Sequence, residues 1–246
     1  MPKLTEQLFE KGKLYLIPNT LGSRNMETIP DYVQKIALQL NVFIVENTKE
    51  AKRFLVYLGI KETGRQIEDL TFLELNKHAG EKEFSSYLKA TEKGINIGLI
   101  SDAGCPAVAD PGGIIVQWAH EKGIEVIPLV GPSSMLLALM ASGMNGQNFA
   151  FTGYLPIQQA QRIQKIRSLE HRILSENQTQ VFIETPYRNQ SLFTDLINTC
   201  KSHLRLCIAA NLTLPDQCIK TQTIGNWKKA PLPDLHKIPA VFVLGI

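Results

Sequence analysis

Apolar residues in the first half of the chain gather into short runs at residues 14–17, 42–45, 95–100 and 125–130. These runs are rich in β-branched side chains, and longer stretches of helical periodicity separate them. Strand and helix in alternation predict a mostly parallel sheet with helices on its faces. A helix at residues 135–142 is apolar on all sides, which predicts that it is buried. Residues 143–148, Gly-Met-Asn-Gly-Gln-Asn, then turn polar and glycine-rich. That change of composition marks a boundary between an N-terminal α/β domain, 12–146, and a C-terminal α/β domain, 147–246.

The second half follows a different pattern. After a short apolar stretch at 149–152, a long charged helix is predicted over 158–176, with strands at 179–183, 205–210, 221–225 and 240–244. One clear helix, 190–201, separates the first two of these strands, and the rest are joined by short polar or proline-rich loops. A mixed, largely antiparallel sheet carrying helices is the expected outcome.

Composition narrows the class. With 246 residues and 44% apolar content the chain can bury a sizeable core. No apolar run approaches the roughly 18–20 residues needed to span a bilayer, and residues 1–13 mix charges with isolated apolar positions rather than forming a signal-peptide core. These features predict an unprocessed cytoplasmic protein with no membrane partner. Cys105, Cys200, Cys207 and Cys218 form no Cys-x-x-Cys pair and have no histidines at zinc-ligand spacing, so structural thiols and no metal are expected. A net charge of +3 permits an acidic partner such as RNA without requiring one.

The chemistry concentrates in loops. Ser101-Asp102-Ala103-Gly104-Cys105-Pro106-Ala107-Val108-Ala109-Asp110-Pro111-Gly112 follows a fully apolar strand and precedes a helix. Loops in that place form the ligand crevice of open α/β sheets. Ala103 and Gly104 let backbone approach a ligand closely, Asp102 supplies an anion for an ammonium or hydroxyl, and Asp110-Pro111 reads as an N-cap and first helical residue. The alternative is a well-capped turn with no ligand. Gly131-Pro132-Ser133-Ser134 leads into the apolar helix, where hydroxyls and backbone N–H groups can hold a polar ligand or simply cap the helix.

Four motifs occur in one order: Ser101-Asp102-Ala103-Gly104-x-Pro-x-x-x-Asp110-Pro111-Gly112, Pro-x-x-Gly131-Pro132-Ser133, Phe151-x-Gly153-x-Leu155-Pro156 and Glu184-x-Pro186-x-Arg188. Together they resemble the tetrapyrrole-methylase-like methyltransferases. The branch they are most similar to is the bacterial one that 2'-O-methylates a cytidine of small-subunit ribosomal RNA, over about residues 12–245. The resemblance implies two α/β domains with S-adenosylmethionine in the cleft between them, a homodimer, and ribosomal RNA or the small ribosomal subunit as partner. It implies cofactor contacts at Ser101, Asp102, Ala103, Gly104, Cys105 and Val108, at Ser133 and Ser134, at Ile183, at Asn211 and Leu212, and at Pro239 and Ala240. Pro18-Asn19-Thr20-Leu21-Gly22 stands where that branch has a Thr-Pro-Ile-Gly-Asn-type stretch.

The chain departs from that branch at polar positions. Glu46-Asn47-Thr48-Lys49 replaces Glu-Asp-Thr-Arg, Tyr187 stands where His is usual, and Ala210-Asn211-Leu212-Thr213-Leu214 replaces Arg-Glu-Leu-Thr-Lys. Glu184 and Arg188, with Asn19, Glu46 and Asn47 from the first domain, are the residues expected on the acceptor side. Glu184 and Arg188 can equally pair across their turn, and Glu46 can cap the next helix. Arg162, Lys165, Arg167, His171 and Arg172, and more weakly Trp227-Lys228-Lys229, form candidate RNA-facing strips or ordinary solvated faces. Two further readings stay open: a methyltransferase acting on a tetrapyrrole or other small molecule, and a catalytically silent cofactor-binding scaffold.

Overall fold

A computed structural model describes residues 10–22, 26–75, 86–231 and 233–246. Residues 1–9, most of the stretch read as lacking a signal-peptide core, lie outside the described residues. The chain divides into two compact units, Met1–Pro132 and Ser133–Ile246.

In the first unit, β4 (Ile97–Ile100) is buried along its whole length. Such a run can only be a central strand, because both of its faces must be covered. The sheet order is β3-β2-β4-β1-β5, with β1 (Leu14–Ile17), β2 (Val42–Val45), β3 (Thr71–Glu74) and β5 (Val126–Pro128), and every pairing is parallel. Alternate side chains go to opposite faces. Phe43 and Val45 join the core formed with α1 (Asp31–Gln39) and α2 (Thr48–Tyr57). Ile44, Ile97 and Leu99 join the core formed with α3 (Gly113–Glu121). β3 was not anticipated from the sequence. It is a four-residue edge strand with none of its residues fully buried, and it carries no long apolar run to announce it.

The second unit opens with α4 (Ser134–Ser142), followed by β6 (Phe149–Tyr154), α5 (Gln159–Glu176), β7 (Thr179–Ile183), α6 (Asn189–Thr199), β8 (Arg205–Ala210), β9 (Cys218–Thr223), the single turn α7 (Ile224–Trp227) and β10 (Ala240–Gly245). The order β6-β7-β10-β8-β9 combines one parallel pair, β6 with β7, with antiparallel pairs elsewhere. This is the expected mixed sheet. β6 loses register between Phe151 and Tyr154, where Gly153 adopts φ +66°, and Leu155 then enters the core. The Phe-x-Gly-x-Leu-Pro motif is thus a bulged strand end.

Three expectations need correction. The boundary between the units falls ahead of α4 rather than in the polar stretch 143–148, because α4 belongs to the second sheet: Thr221 donates its hydroxyl to the Ser142 carbonyl, and Arg205 donates to that of Gly143. Nor is α4 buried all round, since Leu136 and Met140 are 52% and 78% exposed. The strand expected at 221–225 ends at Thr223, whose hydroxyl accepts from Asn226 N–H and starts α7.

One residue from each of the two candidate basic strips also proves to be a core residue. Trp227 is buried, donates its indole N–H to the Leu206 carbonyl at 2.9 Å and meets Phe193 edge-on. Arg162 is 4% exposed and paired with Asp195, leaving Arg167, His171 and Arg172 on the exposed face of α5. Cys200 and Cys207 are both buried in the second unit, and burial pushes the Cys200 thiol up to about 12 and holds it protonated. No described helix is long and apolar enough to cross a membrane, and no group of three or more metal-ligating side chains occurs among the described residues.

Candidate functional site

Two strand connections leave the first sheet in opposite directions. The link from β1 passes β4 to reach β2, and the link from β4 passes β1 to reach β5. The carboxyl ends of β1 and β4 therefore flank the switch point at which open α/β sheets take ligands. The loops found there are those the sequence singled out.

They are stitched together by backbone. Asn19 N–H donates to Gly104 O at 2.9 Å and Gly104 N–H to Asn19 O at 3.1 Å, forming an isolated antiparallel bridge. The buried Asn19 amide donates to the carbonyls of Ser101 and Asp102, both at 3.1 Å, while its oxygen accepts from Thr20 N–H. With these bonds the Asn19 side chain fastens the β4 loop. The β5 loop joins the same cluster: a Cβ on Gly131 would lie 2.2 Å from Pro18 Cβ, and the Cys105 thiol faces the Gly131 and Pro132 carbonyls. Only glycine permits that approach. Burial raises the Cys105 thiol pKa, so it behaves as a packing group.

Asp110 organises the far side of the loop. One carboxylate oxygen accepts from Ala107 N–H at 3.0 Å and Gly112 N–H at 2.7 Å, and the other is buried with no hydrogen-bond partner. Ala107 and Ala109 both hold positive φ, at 65° and 63°. Burial lifts the Asp110 carboxyl above its usual range, the two N–H groups pull it down, and the Glu46 charge adds to the rise. Asp110 is therefore not the helix N-cap expected of it: α3 begins at Gly113, and the carboxylate holds a strained turn. Asp102, Ala103 and Val108 remain exposed along the loop.

The other first-unit candidates separate. Asn47 is the N-cap of α2, accepting from Lys49 and Glu50 N–H, so the capping role considered for Glu46 belongs to its neighbour. Glu46 instead accepts from Asp102 N–H at 3.4 Å. A pocket of about 260 Å³ opens beside Asn19 and Asp102 and is lined further by Arg53 and Tyr57 of α2, which the sequence does not single out.

In the second unit the candidates gather at one end of the sheet. Ile183 pairs with Val241, Ala240 with Ala210, and Asn211 N–H donates to Pro239 O at 3.0 Å. Asn211 and Thr213 take positive φ in a loop closed by Asn211 to Asp216 and Gln217 to Thr213 contacts. Ser133 is the N-cap of α4, with Leu136 N–H at 3.5 Å from its hydroxyl, and Ser134 opens the helix.

Glu184 follows β7 with its side chain fully buried. One oxygen accepts from Thr185 N–H and from the Arg188 guanidinium, both at 2.6 Å. The other oxygen and Arg188 Nε are buried with no hydrogen-bond partner. The carboxylate raises the Arg188 pKa still further, so this half-exposed guanidinium stays charged. The pairing across the turn is real, and it leaves polar capacity unused.

No protein-family model matches the chain. Ribosomal RNA small subunit methyltransferase I of Haemophilus influenzae is 28% identical over 95% of this chain and 77% of its own length. Its namesake from Buchnera aphidicola subsp. Schizaphis graminum is 29% identical over 90% and 74%. Among solved structures, uroporphyrin-III C-methyltransferase of Thermus thermophilus, complexed with S-adenosyl homocysteine, aligns over 95% of this chain and 97% of that one, with TM-score 0.55 and 16% identity. The chain is thus similar over most of its length to these ribosomal RNA methyltransferases and shares the fold of the tetrapyrrole methyltransferases. Those relatives are methyltransferases, and that structural neighbour holds S-adenosyl homocysteine.

The bridged Asn19–Gly104 turn is an exacting local feature of the candidate site. Gly104 holds φ +69°, and an added Cβ would lie 3.3 Å from Leu21. Gly104→Val should therefore shift the loop and weaken cofactor binding at least about tenfold, or 1.4 kcal/mol. Calorimetric titration of folded variant and parent checks this, and equal affinities would place the cofactor elsewhere.

Proposed function

We propose that this methyltransferase transfers the methyl group of S-adenosylmethionine to the ribose 2'-oxygen of a cytidine in small-subunit ribosomal RNA, acting in the cytoplasm as a homodimer. What carries the acceptor is the name shared by its relatives across nearly the whole chain. The exposed Leu136 and Met140 on α4 supply apolar surface suited to a second copy.

The residues present fit the donor. Around the β1/β4 switch point the loop backbone is fixed by Asn19, Ser101 and Asp110, while Asp102, Ala103 and Val108 stay accessible, a rigid polar edge suited to an amino-acid ammonium and a nucleoside. We assign Ser101, Asp102, Ala103, Gly104, Cys105 and Val108 to the donor, together with Ser133, Ser134, Ile183, Asn211, Leu212, Pro239 and Ala240 from the second unit. The donor supplies an electrophilic methyl on sulfur. Its displacement is in-line, so aligning the ribose oxygen supplies much of the rate and a strong base is not demanded. Glu184 and Arg188 are assigned that orienting task, with Glu46 beside the donor loop. The hydrogen bonds of Asn19 and Asn47 make them positioning residues for the loop and helix that carry the site.

Phosphate recognition tests the acceptor class. Binding of small-subunit RNA should fall linearly in log affinity with log salt, each neutralised phosphate contributing about 0.7–0.9 units of slope. A tetrapyrrole acceptor would instead bind with little salt dependence, and that result with no RNA affinity would overturn the assignment.

A further inference from the structure

The segment before β10 is tied to the loop after β7 by hydrogen bonds that form a small exposed platform. Lys237 N–H donates to Pro186 O at 3.1 Å, the Asn189 amide donates to Ile238 O at 2.6 Å, and Leu235 N–H donates to the Gln190 side chain at 3.1 Å. Lys237 is held at φ +60°, a conformation non-glycine residues keep only where the surroundings impose it. The result places Lys237 Nζ 5.9 Å from the Tyr187 ring centroid, with the His236 ring edge-on to Tyr187 at 6.2 Å. Asp234, the nearby carboxylate, accepts from His236 N–H.

Tyr187 nevertheless remains 70% exposed. A single exposed tyrosine is ordinary. One set against a cation by a strained residue, and adjoining the anchored Arg188 guanidinium, is the arrangement that recognises unpaired nucleotides: a ring for the base and positive charge for the phosphate. Tyr154, 55% exposed, stands close enough to Arg188 to act on its charge. We propose that the ring of Tyr187, with Lys237 over it and His236 at its edge, is the platform on which an unpaired base of the acceptor RNA stacks. The proposal rests on the RNA reading, and its test must separate the two.

The experiment compares the full-length protein with Tyr187→Ala, Tyr187→His and Lys237→Ala in binding and methylation of under-methylated small ribosomal subunits. Tyr187→Ala should raise KM for subunits at least about fivefold with a smaller change in kcat. Tyr187→His, which keeps a ring, should recover most of that loss, and Lys237→Ala should flatten the salt dependence of binding. Affinity for S-adenosylmethionine, measured in the same preparations, reports that the variants are folded. Parent and Tyr187→Ala proteins methylating subunits with the same KM would overturn the platform and leave the acceptor reading intact. A folded parent that binds cofactor but neither binds nor methylates subunits would overturn both.

Discussion

Asp195→Ala should destabilise the second unit by about 3–5 kcal/mol, the cost of leaving a buried guanidinium without its charge partner. Both side chains are 5% exposed, and the cluster is fully satisfied. Arg162 Nε and Nη2 meet one Asp195 oxygen at 2.7 and 2.6 Å, and the Gln159 amide donates to the other at 2.8 Å. The remaining guanidinium donors reach the Ile157 and Pro156 carbonyls and the Ser191 hydroxyl. Thermal unfolding should show Tm lower by on the order of 10 °C. Replacing both partners by apolar residues, as in Arg162→Met with Asp195→Leu, should recover much of the loss, because no buried charge is then stranded. A single-variant shift below about 2 °C would mean that solvent reaches the pair.

Arg188→Ala should lower methyl transfer on the order of a hundredfold while affecting donor affinity far less, since misorienting a reacting group costs the reaction and not the binary complex. Its guanidinium is the partner of a fully buried carboxylate, so this variant also loses stability. Glu184→Gln separates the two effects: the amide oxygen can still accept from Thr185 N–H and from Arg188, and the fully buried carboxylate charge is gone. That variant should keep its fold and still lose transfer. Parallel loss of donor binding and activity in both variants would make the pair a support for the donor site instead.

Much of the fold, and the loops that make up the candidate site, is legible in the sequence because the relevant signals are local. β1, β2 and β4 announce themselves as apolar runs, and the loop after β4 as a cluster of small and acidic residues behind one of them. β9 starts three residues before its expected position because it is an edge strand whose polar positions face solvent, Cys218 and Lys220 among them. The apolarity of α4 promises burial without saying against which sheet, and half of that promise fails at Leu136 and Met140. Arg162 reads as surface charge because its partner lies 33 residues away on another helix. Asn19, expected on the acceptor side, turns its amide to the carbonyls of a loop more than 80 residues distant, a relation no local pattern contains. The same holds for Tyr187 and Lys237, which meet only because β7 and β10 are neighbours.

Transfer from S-adenosylmethionine to a ribose of small-subunit RNA is measured directly by incubating the protein with methyl-labelled donor and under-methylated small subunits and then mapping the label. Label is expected on the 2'-oxygen of a cytidine, with transfer sharply reduced by Arg188→Ala. Label found only on a tetrapyrrole supplied in its place, or no transfer from protein that binds the donor normally, would contradict this assignment.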